Sequence, residues 1–362
     1  MFKTSNVLSA VAVLLFALTS VDFVSAQEFS DWSTPVNLGP VVNAVCVPGT
    51  TNCNDERPNI SKDGLSLYFS SDRPGGCGGA DIYVSERASV DSPWEAPFNL
   101  DTDRLGHGLP CVINSNANES APNLTTDGHT LFFHSFRAND NCGGGDIYYA
   151  HRKNRRDDLG WEAPLNLNRA GRDPGAPLMC GGATELKLEC SSLTPCMLVN
   201  TPKTDAGPAF FHDDLTDTTM LYFTRTNLST NLGDFDIYTS ILGPDGTWGT
   251  VVYNEELSLM PHRDTRVAIR RRDGLEIILA SERPGFPLGS DARKLWVSTR
   301  NSTLVPWSAP VLLPNVNSNA LDGAPGLSWD GTELYFFSTR DGASAGSELY
   351  LSTRTKITGQ QP

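Results

Sequence analysis

Acidic residues recur at one position of a repeated pattern in this chain, together with an arginine and a second acid. One copy of the pattern reads "DERPNISKDGLSLYFSSDRPGGCGGADIYVSER". The first acids of the five copies are Asp55, Glu119, Asp205, Asp264 and Asp322. The arginines are Arg73, Arg137, Arg225, Arg283 and Arg340, and the second acids are Asp81, Asp146, Asp236, Asp291 and Glu348.

Carboxylates that converge on one place can carry out acid–base chemistry. In glycoside hydrolysis one carboxyl group acts as an acid and another acts as a base or nucleophile. Carboxylates that crowd together also shift one another's pKa or hold a cation, and Ca²⁺ is the cation we consider. We therefore take Asp55, Glu119, Asp205, Asp264 and Asp322 as catalytic candidates that ring a central channel.

Basic side chains near these acids are candidates for binding a ligand. They are Arg73, Arg137 and Arg225, with His134 and His212 expected near the same face. The structural alternative is that each arginine forms an ion-pair clamp with the carboxylates beside it, because guanidinium suits bidentate contact. A feature that recurs in every repeat serves the repeat, so function is expected where the repeats differ.

The elements that position these residues follow from the repeat itself. A period of roughly 60 residues is typical of solenoids and propellers. Each unit contains an Asp-Gly hairpin turn such as Asp63-Gly64, alternating apolar stretches and a Trp-x-x-Pro segment, which together indicate four short strands. The chain is therefore predicted to be all-β, a five-bladed β-propeller of four-stranded antiparallel blades.

The segment "DWSTPVNLGP" near the N-terminus resembles the fourth strand of a blade that has no preceding strands. The last repeat, in turn, ends near Arg354 without a fourth strand. We predict that the N-terminal strand completes the C-terminal blade, since a shared strand closes the ring and removes an open sheet edge.

The repeat pattern resembles the TolB-type, WD-like propeller repeats of exported bacterial proteins. The resemblance covers D-x-x-P, the Asp-Gly turn, the Arg and the D-[IL]-Y segment. It implies the propeller fold and leaves function open between protein-binding propellers and polysaccharide lyases. The fourth repeat departs most, with Val267 in place of the proline and Lys294-Leu295-Trp296 in place of Asp-Ile-Tyr.

Composition and chain ends indicate an exported protein. Residues 1–26 read as a secretory signal peptide, residues 27–357 as a single propeller and residues 358–362 as a disordered tail. No later stretch approaches the roughly 20 apolar residues that span a bilayer. The net charge of -14 disfavours nucleic acid and anionic membranes as partners, and we expect a secreted or periplasmic monomer.

Eight cysteines in an exported chain indicate disulfide bonds. The pairs that are close in sequence are Cys46 with Cys53, and two among Cys180, Cys190 and Cys196. The last three belong to the longest insertion, between the second and third repeats. That insertion also carries Glu185 and Lys187, which we consider as contacts of a ligand at the mouth.

These features predict a propeller that binds a carbohydrate or other polar ligand at an acidic central mouth, as a polysaccharide hydrolase or lyase in its enzymatic version. One alternative is a non-catalytic, TolB-like propeller that docks an envelope or extracellular protein. Another is an enzyme of small molecules that uses the propeller as a cup. No serine-hydrolase elbow, zinc-protease motif or phosphate-binding loop is present in the sequence.

Overall fold

The computed structural model describes residues 29–45, 53–102, 110–173, 175–180, 197–226, 235–286, 293–342 and 346–357. Within these ranges the chain forms five four-stranded antiparallel sheets arranged as the blades of a propeller. The prediction of a five-bladed β-propeller is confirmed. The predicted leader and tail lie outside the described residues.

Blades one and two come from the first half of the chain. Blade one comprises β2 (Asp55–Ile60), β3 (Ser66–Ser71), β4 (Asp81–Glu86) and β5 (Phe98–Asn99). Blade two comprises β6 (Glu119–Leu124), β7 (Thr130–Ser135), β8 (Asp146–His151) and β9 (Leu165–Asn166), followed by a short 3-10 turn, Leu167–Arg169.

Blades three to five complete the ring. Blade three comprises β10 (Asp205–Asp213), β11 (Thr218–Thr226), β12 (Phe235–Leu242) and β13 (Trp248–Tyr253). Blade four comprises β14 (Asp264–Ile269), β15 (Glu276–Ser281), β16 (Lys294–Thr299) and β17 (Val311–Leu312). Blade five comprises β18 (Asp322–Leu327), β19 (Glu333–Ser338), β20 (Glu348–Thr353) and the N-terminal β1 (Val36–Asn37).

The first strands of the blades line the centre of the ring. Each contacts the first strand of the next blade, and β18 returns to contact β2. In blade one Asp55 pairs with Ser71 and Ser71 pairs with Asp81, so the first strand begins, the second ends and the third begins at one edge. We call the face of the ring at this edge the mouth.

Strand side chains pack alternately against the two neighbouring blades. In β3, Leu67 and Phe69 pack in a cluster with Tyr335 of blade five. Tyr68, which lies between them in sequence, packs in a cluster with Phe133 of blade two. Both faces of the blade are therefore buried, which explains why these strands read as almost continuous apolar runs.

The N-terminal strand closes the ring as predicted. Val36 pairs with Leu351 and Asn37 with Tyr350 in antiparallel register. Trp32 is only 5% exposed, and the Arg354 guanidinium lies 4.3 Å from the centre of its ring. The first strand thus occupies an edge of the last blade that would otherwise be open.

The Trp-x-x-Pro segments have a structural role at the face opposite the mouth. Four of their tryptophans each lie under an arginine whose Nε donates to the glycine carbonyl of the Asp-Gly or equivalent hairpin of the same blade. The stacked pairs are Arg87–Trp94 (4.4 Å), Arg152–Trp161 (4.3 Å), Arg300–Trp307 (4.0 Å) and Arg354–Trp32. These contacts fasten the outer strands to the inner hairpins.

Between cysteines that the structure describes, two disulfide bonds join loops of the mouth to the connections between blades. Cys77 bonds Cys111 and Cys142 bonds Cys180, so Cys180 does not pair within its own insertion. A pair between Cys190 and Cys196, together with Glu185 and Lys187, lies outside the described residues, as does Cys46. Cys53 is disulfide-bonded.

Among the described residues, no helix has the length and apolar character needed to cross a bilayer.

Ring closure predicts a specific loss of stability when Trp32 is truncated. Trp32→Ala should lower the free energy of unfolding by about 3 kcal/mol, because large-to-small changes at buried aromatic residues cost this much. The measurement is thermal and urea unfolding. Val36→Thr is the control on the same segment, since Val36 is 66% exposed. Equal melting temperatures for Trp32→Ala and the wild type would contradict the closure role.

Candidate functional site

The five first acids lie at the mouth end of the first strands, but they are enclosed rather than exposed. All five are 0% exposed. Each contacts the arginine of its own blade: Arg73–Asp55 at 2.6 Å, Arg137–Glu119 at 3.5 Å, Arg225–Asp205 at 2.6 Å, Arg283–Asp264 at 2.6 Å and Arg340–Asp322 at 2.7 Å. The expected open acidic ring is therefore replaced by five buried ion pairs.

Each ion pair also holds the linker that arrives from the preceding blade. The Ala44 amide donates to Asp55 at 2.5 Å, and Arg73 donates to the Val42 carbonyl at 2.8 Å. The equivalent amide donors in the other blades are those of Ser115, Thr201, Leu259 and Ser318. We call this unit the linker clamp. It gives Asp55, Glu119, Asp205, Asp264 and Asp322 bonded partners and no open face towards a ligand.

The three arginines considered as ligand-binding residues belong to these clamps. Arg225 is almost completely buried, and the side chains of Arg73 and Arg137 are 17% and 14% exposed. Each also lies over the tyrosine of its third strand, at about 5 Å. Their donors are directed at the linker, and the geometry favours the structural alternative for all three.

The second acids are buried beside the outer strands. Asp81 accepts from the Cys77 amide and from Asn99, and Asp146 accepts from the Cys142 amide and from Asn166. Burial raises the pKa of Asp81 to about 6 and the pKa of Asp146 to about 7. The second oxygen of each carboxyl group has no hydrogen-bond partner in the described part of the chain.

In the other blades the second acid occupies the equivalent position, except in blade four. Asp236, the second residue of β12, is buried, and Glu348, the first residue of β20, is half-buried. In blade four the position is occupied by Lys294, whose ammonium group donates to the Ala320 carbonyl. Asp291, which the sequence offered for this blade, lies outside the described residues.

The two histidine candidates lie at opposite faces of the ring. His134 pairs with Ser120 near the mouth and is 7% exposed. His212 pairs with Thr219 near the hairpin end of β10 and approaches the exposed Asp214 and Asp217. His212 therefore does not join His134, which corrects the expectation that both lie near one face.

His134 is neutral at physiological pH. Burial, followed by the charges of Arg57 and Arg266, lowers its pKa to about 3. Its Nδ1 atom is buried and has no hydrogen-bond partner among the described residues. A buried imidazole nitrogen without a partner is unusual in a folded protein.

Four arginines that sequence reasoning missed face the mouth. We call Arg57, Arg263, Arg266 and Arg293 the mouth arginine cluster. Arg57 and Arg266 are the third residues of β2 and β14, while Arg263 and Arg293 immediately precede β14 and β16. Because these strand ends lie at the mouth edge, the four guanidinium groups come from its rim and its inner wall.

Two glutamates accompany the cluster. Arg57 contacts Glu56 at 2.7 Å, while Glu282 contacts Arg263 at 3.7 Å and Arg293 at 3.4 Å. The side chains of Glu56 and Glu282 are 23% and 26% exposed. They are thus carboxylates at the mouth that solvent can reach, unlike the five first acids.

Arg266 lies deepest and reaches across the channel. Its Nη2 donates to the carbonyls of Pro58 and Pro122, at 3.3 and 2.9 Å, in blades one and two. Further along the channel Arg271 donates to the carbonyls of Ile60 and Leu124. The void beside Arg271 measures only about 10 Å³, so this part of the channel is plugged.

Two aromatic residues at the mouth occupy positions where the other blades have no aromatic side chain. Phe136, directly after β7, is 45% exposed. Phe235 begins β12 and is half-buried, with the Arg263 guanidinium 5.3 Å from its ring centre. They add flat apolar surface next to the mouth arginine cluster.

A sequence signal for this site exists in the repeat alignment. The third residue of the first strand is Ala121, Gly207 or Ala324 in three blades and Arg57 or Arg266 in the other two. Blade four, already the most divergent, supplies Arg263, Arg266, Glu282 and Arg293.

No group of three or more His, Cys, Asp or Glu side chains suited to hold a metal ion occurs in the described ranges. The calcium hypothesis therefore gains no ligand set from this part of the chain.

Comparisons with known proteins agree on the fold. No family model and no curated protein matches the sequence. The solved structures that match include the α-L-arabinofuranosidase PaAbf62A from Podospora anserina, at 12% identity and a TM-score of 0.51 over 91% of this chain and 98% of that chain. An N-acetylgalactosamine deacetylase from F. plautii matches at 12% identity and a TM-score of 0.53, over 91% and 96%.

A third match, Zg3597, is a family 117 glycoside hydrolase from Zobellia galactanivorans, at 11% identity and a TM-score of 0.51 over 92% of this chain and 93% of that chain. At such identities the likeness shows the shared propeller fold. These three structures are propellers of this kind rather than TolB-type repeat proteins, and no family model supports that assignment. The resemblance to TolB-type repeats was therefore wrong as a family assignment.

The linker clamp predicts that its acids stabilise the fold. Asp55→Asn should lower the free energy of unfolding by about 3 kcal/mol or more, because it leaves Arg73 buried without its counter-ion. Chemical unfolding measures the effect. Asp91→Asn, the same change at an exposed residue, is the control. If the two variants unfold alike, the clamp is not the stabilising unit described here.

The raised pKa of Asp146 predicts a defined pH dependence. Its folded value of about 7 exceeds the ordinary value of 3.8, so its contribution to stability is complete below pH 3.8 and is lost as the pH rises through 7. Asp146→Asn should therefore raise the melting temperature relative to the wild type more at pH 8 than at pH 5, by a few degrees.

Melting curves at both pH values, with Asp91→Asn as the control, test this prediction. A difference between Asp146→Asn and the wild type that stays constant with pH would show that Asp146 does not titrate in this range.

Proposed function

We propose that this protein binds an oligosaccharide at its mouth. The observation that carries the proposal is the concentration of non-repeating polar and aromatic side chains there, above a plugged channel. Ligand sites of this kind combine apolar and aromatic walls with a few converging polar groups. Phe136 and Phe235 offer surface for the apolar face of a sugar ring, and Glu56 and Glu282 offer hydrogen-bond acceptors for hydroxyl groups.

The fold comparisons support this choice of ligand. The matching structures include a complex of an arabinofuranosidase with cellotriose and a complex of a deacetylase with blood group B trisaccharide. Propellers of this shape therefore accommodate oligosaccharides.

We extend the proposal to cleavage of the bound saccharide. Glycoside hydrolysis needs two carboxyl groups on opposite sides of the bond that breaks. The five first acids are enclosed in linker clamps, whereas Glu56 and Glu282 are partly exposed and come from blades one and four. We assign the acid–base roles of the proposed reaction to these two glutamates.

We also propose that the protein works outside the cytoplasm. Disulfide bonds persist in oxidising compartments, and the described residues contain Cys77–Cys111 and Cys142–Cys180. The leader read from residues 1–26 is part of this proposal. Secretion of the full-length chain, followed by sequencing of the mature N-terminus, tests it.

Binding is tested by calorimetry of the purified protein against a panel of neutral and acidic oligosaccharides. For a saccharide that binds, Phe136→Ala should weaken the affinity about three- to tenfold, since aromatic contacts of this kind contribute about 0.5–1.5 kcal/mol. Leu304→Ala is the control, because Leu304 is an exposed apolar residue of the opposite face. Absence of binding across the panel would contradict the proposal.

Cleavage is tested by the release of new reducing ends from each bound saccharide. Glu282→Gln and Glu56→Gln should each lower the rate at which reducing ends are released by more than 100-fold. Both variants should stay folded and still bind the saccharide. If the wild type binds saccharides without cleaving them, the catalytic extension fails and the binding proposal stands.

A further inference from the structure

We propose that the mouth arginine cluster is an anion subsite that takes the carboxylate or sulfate group of an acidic sugar. This inference rests on the proposed function and specifies its ligand class. The subsite lies in the inner part of the mouth, where Arg57, Arg263, Arg266 and Arg293 converge.

The charge of the mouth arginine cluster and its two glutamates opposes the charge of the whole chain. The chain carries a formal charge of -14, yet the cluster has four arginines against Glu56 and Glu282, which leaves 4 minus 2, or +2. A local excess of positive charge inside an acidic protein attracts anions to one place and repels them from the rest of the surface.

The four cations lie close together, because Arg263 and Arg293 share Glu282 and Arg266 donates to the carbonyl of Pro58, the residue next to Arg57. Burial and the charge of Arg57 lower the pKa of Arg266 to about 9. Burial, Arg263 and Arg57 lower the pKa of Arg293, with Glu282 opposing them. Arg266 therefore stays protonated at neutral pH, so its repulsion from the neighbouring arginines persists until a negative charge enters the mouth.

Several donors of the cluster lack acceptors. Arg266 is 4% exposed, and its Nε and Nη1 atoms have no hydrogen-bond partner among the described residues. The Nε atoms of Arg263 and Arg293 are also buried without an acceptor in the described part of the chain. Buried polar groups in native proteins are nearly always bonded, so such a set of donors indicates a missing acceptor.

The linker clamps show what a purely structural arginine looks like in this protein. In each clamp an arginine has its own buried carboxylate and a backbone carbonyl. In the mouth arginine cluster Arg57 has a carboxylate of its own, Glu56, but Arg263 and Arg293 share Glu282, and among the described residues Arg266 donates only to backbone carbonyls. The difference separates a binding role from a clamping role.

The exposure of the cluster is graded from the rim inward. Arg57 and Arg263 have side chains 37% and 35% exposed, Arg293 is 18% exposed, and Arg266 is buried. An acidic group can meet the outer arginines first and then complete its contacts on Arg266. The guanidinium fork suits a carboxylate or sulfate group, because two parallel N–H donors match two oxygens.

The test is calorimetry with three oligosaccharides of equal length: trigalacturonic acid, a sulfated galactotriose and neutral galactotriose. An acidic ligand should bind at least tenfold more tightly than the neutral one at low ionic strength. Raising the salt concentration should reduce this preference, since screening weakens attraction at the exposed part of the site. The two acidic arms distinguish a carboxylate ligand from a sulfate ligand.

The matched variants are Arg263→Gln and Arg57→Gln, each checked for an unchanged melting temperature. Either should weaken acidic binding about tenfold, because hydrogen bonds to charged groups are worth about 1.5–3 kcal/mol, and leave neutral binding unchanged. Arg156→Gln, at an exposed arginine of blade two, removes the same charge elsewhere and should change nothing. Acidic binding that falls equally in Arg156→Gln would overturn the assignment.

Equal binding of acidic and neutral trisaccharides would overturn the anion subsite and leave the proposed function standing. Failure of all three to bind, together with failure of the wider panel, would overturn both. Preference for either acidic trisaccharide, lost in Arg263→Gln and Arg57→Gln alone, would support the subsite.

Discussion

The ion pair between the first acid of each blade and the arginine that follows its second strand is the contact on which the ring depends. A propeller blade is joined to the next by a connection with little regular structure of its own. The clamp fixes this connection by holding its backbone amide on the carboxylate and its carbonyl on the guanidinium. A buried ion pair is costly to break once formed, because the partner left behind remains charged and desolvated. The same contact therefore sets the position of every strand start at the mouth.

Because the recurring charges are used in this way, the chemistry of the mouth comes from positions where the blades differ. The five first acids cannot meet a ligand while they hold the linkers. Blade four has lost the proline of the first strand and has arginines at three positions where most other blades have small or neutral residues. Arg266 and Arg271 donate across the channel to other blades and plug it. The linker clamps thus repeat in all five blades, whereas the proposed site is built from residues that differ between the blades.

Much of the fold was predictable because its determinants are local. Asp63-Gly64 marks a hairpin, and Gly64 has the positive φ of 74° that such a turn requires. The N-terminal Trp-x-x-Pro segment lacked its own blade, which was sufficient to predict closure. The site was less predictable because bulges interrupt the first strands. The register shifts between Glu56 and Asn59 in blade one and between Thr265 and Val267 in blade four. Such bulges re-aim side chains, so strand alternation alone did not place Arg57 and Arg266 at the mouth.

Other errors have equally physical causes. His212 lies far from the mouth because β10 extends over nine residues, from Asp205 to Asp213. Cys142 reaches Cys180 across two loops that only the folded ring brings together. The TolB-type resemblance rested on hairpin and clamp residues, which in this chain hold the blades together, so the pattern did not discriminate between propeller families.

The most direct measurement is a crystal structure of the protein with trigalacturonic acid or the sulfated trisaccharide bound. The account predicts an acidic group within hydrogen-bond distance of the Nε or Nη1 atom of Arg266, contacts from Arg57 and Arg263, and a sugar ring against Phe136. Linker clamps that are unchanged from the free protein would agree with their structural role. A saccharide held at another surface, or in the mouth with its acidic groups directed away from all four arginines, would contradict the account.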